Sequence, residues 1–276
     1  MQHPINFQFP ILNFQFSLYM ISLRSLSIGY QQKNNQKVVA ENITSVIRPG
    51  ELTCLIGPNG VGKSTLLRTL SAFQPLLAGD ILVNDKNLAE LTDRQIARLI
   101  GVVLTTKPDV QNMTVSELVA LGRAPYTGFW GRLNKKDEDV VNESIQMVGI
   151  EELSQRMVQT LSDGERQKMM IAKALAQQTP VIYLDEPTAF LDYPSKVEIL
   201  HLLKKLSRET QKTIFLSTHD LELALQMADT LWLMQPQQPI AIGSPQELAS
   251  NGSLGQFLNR PGLHFDPEHM SIQVQL

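Results

Sequence analysis

Nine residues, Gly57-Pro58-Asn59-Gly60-Val61-Gly62-Lys63-Ser64-Thr65, constrain this chain more than any other stretch. They follow the pattern G-x-x-x-x-G-K-[ST], and their flanks agree with it. Leu52-Thr53-Cys54-Leu55-Ile56 is an apolar run of strand length between Gly50 and Gly57, and Ser64 opens a helical segment that runs to Leu70. Glycines let the backbone curl so that successive N–H groups converge on an anion, and the positive end of the helix dipole adds to the same place. Lys63 is placed to reach the β- and γ-phosphates of a nucleotide, and the Ser64 hydroxyl to ligate Mg²⁺. A Gly-rich turn with a chance lysine is the plain alternative, and the agreement of strand, loop and helix outweighs it.

A strand–loop–helix of this kind belongs in an α/β fold. The 276 residues are 43% hydrophobic, enough for one sizeable core with a subdomain. A net charge of −3 offers no basic surplus for a nucleic-acid partner. One cysteine, Cys54, excludes an internal disulfide, and its place in an apolar strand reads as cytosolic. No apolar run reaches membrane-spanning length.

Along the chain, residues 1–19 stand apart: Phe7, Phe9, Phe14 and Phe16 alternate loosely with Gln and Asn around Pro10, without the form of a signal peptide. They are expected to be a disordered extension, with the domain starting at Met20. A strand over residues 21–28 ends at Gly29-Tyr30, and a polar hairpin loop over 31–37 leads to a second strand over 38–47. Residues 77–86 give a further strand and turn, so an antiparallel layer precedes and follows the phosphate loop. A helical subdomain is expected over about 92–178, with one strand, residues 101–104, inside that range. Within it, the charge run Lys135-Lys136-Asp137-Glu138-Asp139 reads as a solvated helix face. Buried strands over 180–187 and 213–219, an amphipathic helix over 195–209, a short helix over 221–228 and a strand over 231–234 follow. Residues 244–276 read as a helical and irregular tail packed on the domain, without chemistry of its own.

Parallel strands in an open α/β sheet present functional residues at their carboxyl ends. Three strands here do so. Asp185 follows four apolar residues, as a carboxylate that holds Mg²⁺ through water would. Glu186 points elsewhere because strand side chains alternate, which suits a general base for an attacking water. His219 is placed to hydrogen-bond a γ-phosphate. Alone, each has a plain structural reading, as a helix-capping acid or an ordinary strand-end histidine; with the phosphate loop the odds reverse. Ser162-Asp163-Gly164-Glu165 forms a capping box, Ser162 at the N-cap and Glu165 at N3, and the same geometry offers a helix N-terminus to phosphate. Tyr30 either packs on the sheet or stacks against adenine.

Together these motifs resemble the ATP-binding subunits of ABC transporters, over roughly residues 20–243. Gly57 to Thr65 matches Walker A, residues 181–186 match Walker B with its glutamate, and Leu161 to Glu165 matches the Leu-Ser-Gly-Gly motif. Ala189-Phe190-Leu191-Asp192 matches the D-loop, His219 the switch histidine and Tyr30 the adenine-stacking aromatic. The resemblance implies a P-loop NTPase core of the ABC ATPase kind with an antiparallel β layer and an α-helical subdomain. It implies ATP and Mg²⁺ as cofactors. It also implies a head-to-tail dimer in which Ser162, Asp163 and Gly164 of one copy, with Asp192, meet the nucleotide held by the other. Glu186, His219 and Lys63 are the expected catalytic residues, and Ser64 and Asp185 the expected metal site. Two departures stand out. Asp163 replaces the first glycine of the Gly-Gly pair and sets a carboxylate near the phosphate. Thr105 stands where the Q-loop glutamine is expected and takes its place as a metal-site candidate, reaching the ion only through water.

Residues 113–123, followed by Pro125-Tyr126, resemble the class that imports ferric siderophores, haem and cobalamin. That implies a separate multi-span permease at the cytoplasmic face of the cell membrane and, indirectly, a substrate-binding protein. The other function class is a soluble ABC ATPase of translation or DNA repair. Those usually carry two cassettes or a long coiled-coil insertion, and neither is in this sequence.

Overall fold

The computed structural model describes residues 18–32, 35–105, 110–128, 130–259 and 262–274. The expected extension lies almost wholly outside these. Of its residues, Tyr19 packs against the core and its carbonyl accepts the Thr213 hydroxyl.

The chain begins with a long antiparallel ribbon, β1 (Ile21–Gln32) and β2 (Asn35–Ile47). Next come β3 (Leu52–Ile56), the phosphate loop and α1 (Lys63–Leu70), then β4 (Ala78–Val83) and β5 (Lys86–Asn87). β2-β1-β4-β5 form one antiparallel sheet. Its inner face is set by alternation, with Ile21, Leu23, Leu26 and Ile28 buried. The ribbon runs further than the apolar pattern suggests: Tyr30 pairs with Lys37 and Gln32 with Asn35. A polar, solvated end of a ribbon carries no hydrophobic alternation, so sequence reasoning mistakes it for a loop.

α2 (Asp93–Leu99), β6 (Ile100–Val103), α3 (Val115–Ala120), α4 (Lys135–Met147) and α5 (Asp163–Ala176) follow. After them come β7 (Val181–Asp185), α6 (Tyr193–Thr210), β8 (Thr213–Thr218), α7 (Leu221–Met227), β9 (Thr230–Leu233) and β10 (Ala241–Gly243). The second sheet has the order β10-β9-β3-β8-β7-β6, parallel except for β10 at its edge. β3 and β8 are buried along their whole length, which is why their sequences read as unbroken apolar runs. Side chains on one face, Leu55, Tyr183, Phe215 and Trp232, pack beneath Leu66, Leu67 and Leu70 of α1. Phe215 meets Trp232 and Tyr183 edge-on, at 5.2 and 6.1 Å. The opposite face, with Cys54, Ile182, Leu184 and Leu216, packs against α5, α6 and α7. Burial there pushes the Cys54 thiol up to about 12, with Asp229 adding to the effect.

The strand expected over 101–104 within the helical range is β6, which joins the parallel sheet beside β7. α3, α4 and α5 form the helical part proper, and the expected solvated charge run needs correction at one position. Asp137, in the first turn of α4, is buried and accepts from Arg123 Nε at 2.9 Å. Arg123 also donates to the Ala176 carbonyl and the Gln178 amide oxygen, tying the loop before α4 to the end of α5. A charge run shows its periodicity but not which member has a buried partner. The tail is more regular than expected: α8 (Pro245–Ser250) and α9 (Ser253–Leu258) lead to a hairpin, β11 (Leu263–Asp266) and β12 (Ser271–Val274). Leu254, Phe257, Leu258 and Phe265 anchor this tail in the core.

Candidate active site

α1 begins at the phosphate loop without any side-chain cap: its N-cap is Gly62, at φ 117°. The geometry there is specific to glycine, because a Cβ would stand 2.1 Å from Val39 Cγ1. The first N–H groups of α1 are thus left for a ligand rather than for a serine or aspartate. Lys63 is buried, and its ammonium donates to the Gly57 carbonyl at 2.9 Å and the Pro58 carbonyl at 3.4 Å. Beside the loop lies a cavity of about 1020 Å³, lined by Pro58, Asn59, Gly60, Val61, Gly62 and Thr65. Tyr30 and Val39 of the antiparallel sheet and residues 236–239, after β9, complete its walls. Tyr30 is exposed, with its hydroxyl 2.6 Å from Thr65 Oγ1, and lines this cavity.

The carboxyl ends of β3, β7 and β8 are neighbours, and the register sets Asp185 opposite Ser217 and Ile56 opposite Thr218. Glu186 consequently lies 3.5 Å from Lys63 Nζ and 3.7 Å from His219 Nδ1. Asp185 accepts from the Ser217 hydroxyl at 2.7 Å. Asp185 and Ser64 line one small cleft, under α1. Thr105 is near but differently employed: its hydroxyl donates to the Asp185 carbonyl at 2.8 Å. Donating there leaves its lone pairs as acceptors.

The remaining candidates face elsewhere. Ser162 and Asp163 are exposed at the start of α5. The capping box read from the sequence is present, with Glu165 N donating to Ser162 Oγ at 3.3 Å and Ser162 N to Glu165 Oε2 at 2.8 Å. The Ser162 N–H, helped by the Ser162 hydroxyl and the Arg156 and Lys168 charges, holds the Glu165 carboxyl below the usual range despite its partial burial. A Cβ on Gly164 would meet only Ser195, at 3.5 Å. Asp192 caps α6 by accepting from Ser195 N at 3.2 Å. The structure thus brings Lys63, Glu186, His219, Asp185 and Ser64 together and sets Ser162, Asp163, Gly164 and Asp192 on an outward surface.

The donor set fits a magnesium nucleotide. A large cavity is lined by both an uncapped helix start and an aromatic side chain, and a buried ammonium sits beside the same helix start. Ser64 and Asp185 provide oxygen ligands of the hard kind Mg²⁺ prefers. Among the described residues no group of three or more His, Cys, Asp or Glu could hold a metal ion. A cation here would therefore rest largely on phosphate and water. Sequence reasoning missed Val39, residues 236–239 and Ser217. Val39 and 236–239 are ordinary in type and enter the site only through the sheet order. Ser217 sits two residues before His219 and carries no signal.

A strand–phosphate loop–helix in a parallel sheet, with acids and a histidine at adjacent strand ends, defines a P-loop ATPase. A sequence profile of the ABC transporter family matches residues 40–189. The ferric enterobactin transport ATP-binding protein FepC of Escherichia coli is 38% identical over 225 residues, 82% of each chain. The iron(3+)-hydroxamate import ATP-binding protein FhuC of Bacillus subtilis is 35% identical, over 86% of each chain. The dimeric structure of a bacterial ABC transporter cassette, MJ0796, superposes with a TM-score of 0.70 at 25% identity, covering 82% of this chain and 98% of that one. The chain belongs to the ABC transporter family, and its catalytic activity is that family's ATP hydrolysis.

Proposed function

We propose that the chain powers import of a ferric siderophore by hydrolysing ATP against a separate multi-span permease at the cytoplasmic face of the membrane. The observation that carries this is the meeting of Lys63, Glu186 and His219 at the uncapped start of α1. The cargo named for the relatives, ferric enterobactin and iron(3+)-hydroxamate, supports the substrate class. No helix among the described residues is long and apolar enough to cross a membrane.

In this reading the loop N–H groups and Lys63 bind the β- and γ-phosphates. The ammonium already sits in a carbonyl nest and exchanges those contacts for phosphate oxygens. Glu186, held 3.5 Å from Lys63, is the base that accepts a proton from the attacking water. His219 lies beside it, able to donate to the γ-phosphate while its other neighbour is the Glu186 carboxylate. Ser64 and Asp185 would hold Mg²⁺, which when bound neutralises phosphate charge; Thr105 would reach it only through water. Tyr30 stacks on the base. Ser162, Asp163, Gly164 and Asp192 of a second copy, docked head to tail, close the site over the nucleotide.

The test is uptake of labelled ferric enterobactin, ferric hydroxamates, haem and cobalamin into vesicles bearing the reconstituted transporter. ATP-dependent uptake of a ferric siderophore, abolished in Glu186→Gln, is the expected result. Uptake of haem or cobalamin alone would overturn the cargo while leaving the ATPase reading intact.

A further inference from the structure

The peptide joining Asp185 to Glu186 is held at both of its polar atoms by hydroxyls from the two flanking strands' ends. Thr105 Oγ1, two residues past β6, donates to the Asp185 carbonyl at 2.8 Å. On the other side, Glu186 N donates to Ser217 Oγ of β8 at 3.0 Å. The same hydroxyl passes its proton on to Asp185 Oδ1 at 2.7 Å, so Ser217 accepts and donates at once. On the β6 side the ladder ends at Val103 and Leu184, while on the other side β7 still pairs with β8 at Asp185 and Ser217. The two hydroxyls add side-chain bonds to this peptide at the point where the β6 ladder stops.

This matters because of the backbone of Glu186 itself, which has φ 47°. A glutamate in the left-handed region persists only where its surroundings over-determine it. Both hydroxyls act on the one peptide plane that sets this φ, and the side chain it aims lies between Lys63 at 3.5 Å and His219 at 3.7 Å.

We propose that Thr105 and Ser217 are positioning residues that clamp the Asp185–Glu186 peptide and so aim the Glu186 carboxylate into the phosphate site. The inference rests on Glu186 as the base. It gives Thr105 a role through the backbone rather than through the metal. Thr105→Val keeps the shape and removes only the hydroxyl, so the clamp loses one jaw while the phosphate loop is untouched. Because misplacing a reacting group by about 1 Å can cost roughly a hundredfold in rate, kcat should fall about 10- to 100-fold. KM for MgATP and the Mg²⁺ half-saturation should stay unchanged.

The experiment is steady-state ATP hydrolysis by the full-length protein across MgATP and Mg²⁺ titrations, with melting temperature measured alongside. Thr105→Ser should restore kcat, and Thr105→Val added to Glu186→Gln should cost nothing further, because the two act as a unit. Ser217→Ala should lower kcat and also raise the Mg²⁺ half-saturation, since it frees the Asp185 carboxylate as well. A Thr105→Val protein with normal kcat overturns the proposal, as does one whose lost rate returns at high Mg²⁺, which would make Thr105 a metal ligand. Failure of Thr105→Ser to rescue a folded protein overturns it too. A Glu186→Gln protein that still turns over overturns the base reading itself, whereas an inactive Glu186→Gln beside a fully active Thr105→Val sinks the clamp alone.

Discussion

The two helix N-termini implicated in phosphate binding, those of α1 and α5, are built in opposite ways. α1 starts at a glycine with no side-chain cap, its N–H groups turned toward a large cavity and a buried lysine. α5 starts at Ser162, whose oxygen is already used by Glu165 N, while Glu165 returns a bond to Ser162 N. α5 has two of its first N–H groups tied by its own residues and is exposed; α1 has none capped by a side chain and borders the cavity. The difference teaches that α1 is a binding site by construction. α5 can offer phosphate only what its cap leaves over.

The sharpest way to break this comparison is at α1. Gly62→Ala places a methyl against Val39 and forces φ 117° on an L-residue. We expect a loss of about 1–3 kcal/mol of stability, read as a lower melting temperature. MgATP binding should become undetectable by calorimetry. Unchanged binding would mean that the loop is not built to a single backbone geometry.

Next in size is Ser162→Ala at α5. A lost cap costs about 1 kcal/mol, whereas a lost transition-state donor costs on the order of a hundredfold in rate. The variant should stay folded and hydrolyse slowly, and mixed dimers should show the defect at the site opposite the mutated copy. A protein that only melts earlier would leave Ser162 a cap and nothing more.

A smaller effect is expected from Asp163→Asn, which removes a carboxylate exposed at the start of α5. If the trans phosphate approaches this turn, the apparent KM for MgATP should fall a few-fold at low salt, and the gain should shrink as salt screens the charge. No change at low salt would place the phosphate away from this turn.

The smallest effect is a pH dependence that α5 has and α1 lacks. The Glu165 carboxyl is held below its ordinary value of 4.5, mainly by the Ser162 backbone N–H. A depressed acid contributes stability that is present above the unfolded value and lost as pH falls through the folded one. Acid melting curves should therefore steepen below about pH 4.5 in the parent and flatten in Glu165→Gln. Gln at N3 keeps the box without the charge, as Gln95 does for Thr92 in α2.

What was legible in the sequence follows from how local each feature is. The phosphate loop, the strand-end acids and the α5 box are contiguous, and each declares its geometry within a few residues. The polar end of the β1–β2 ribbon and the β11–β12 hairpin were not legible. The ribbon end is paired by backbone bonds alone, and the hairpin turn is set by Asp266, which accepts from the Glu268 and His269 N–H groups, with only Phe265 and Ile272 as an apolar side too short to show a pattern. Nor was the partner of Thr105, which sits 80 residues away in sequence and meets it only through the β6–β7 pairing. Asp137 looked like one charge among five until the fold supplied Arg123.

The burial of Cys54 has a practical corollary. A thiol raised to about 12 inside a fully covered strand is inert toward alkylating reagents while the sheet stays closed. Its modification rate therefore clocks opening of the central strand, the same strand that delivers the chain into the phosphate loop three residues later. A nucleotide that binds only the closed form slows that clock in proportion to its occupancy. The unaltered protein thus carries its own label-free reporter of ligand affinity, and a single cysteine engineered on the surface would be read without interference from it.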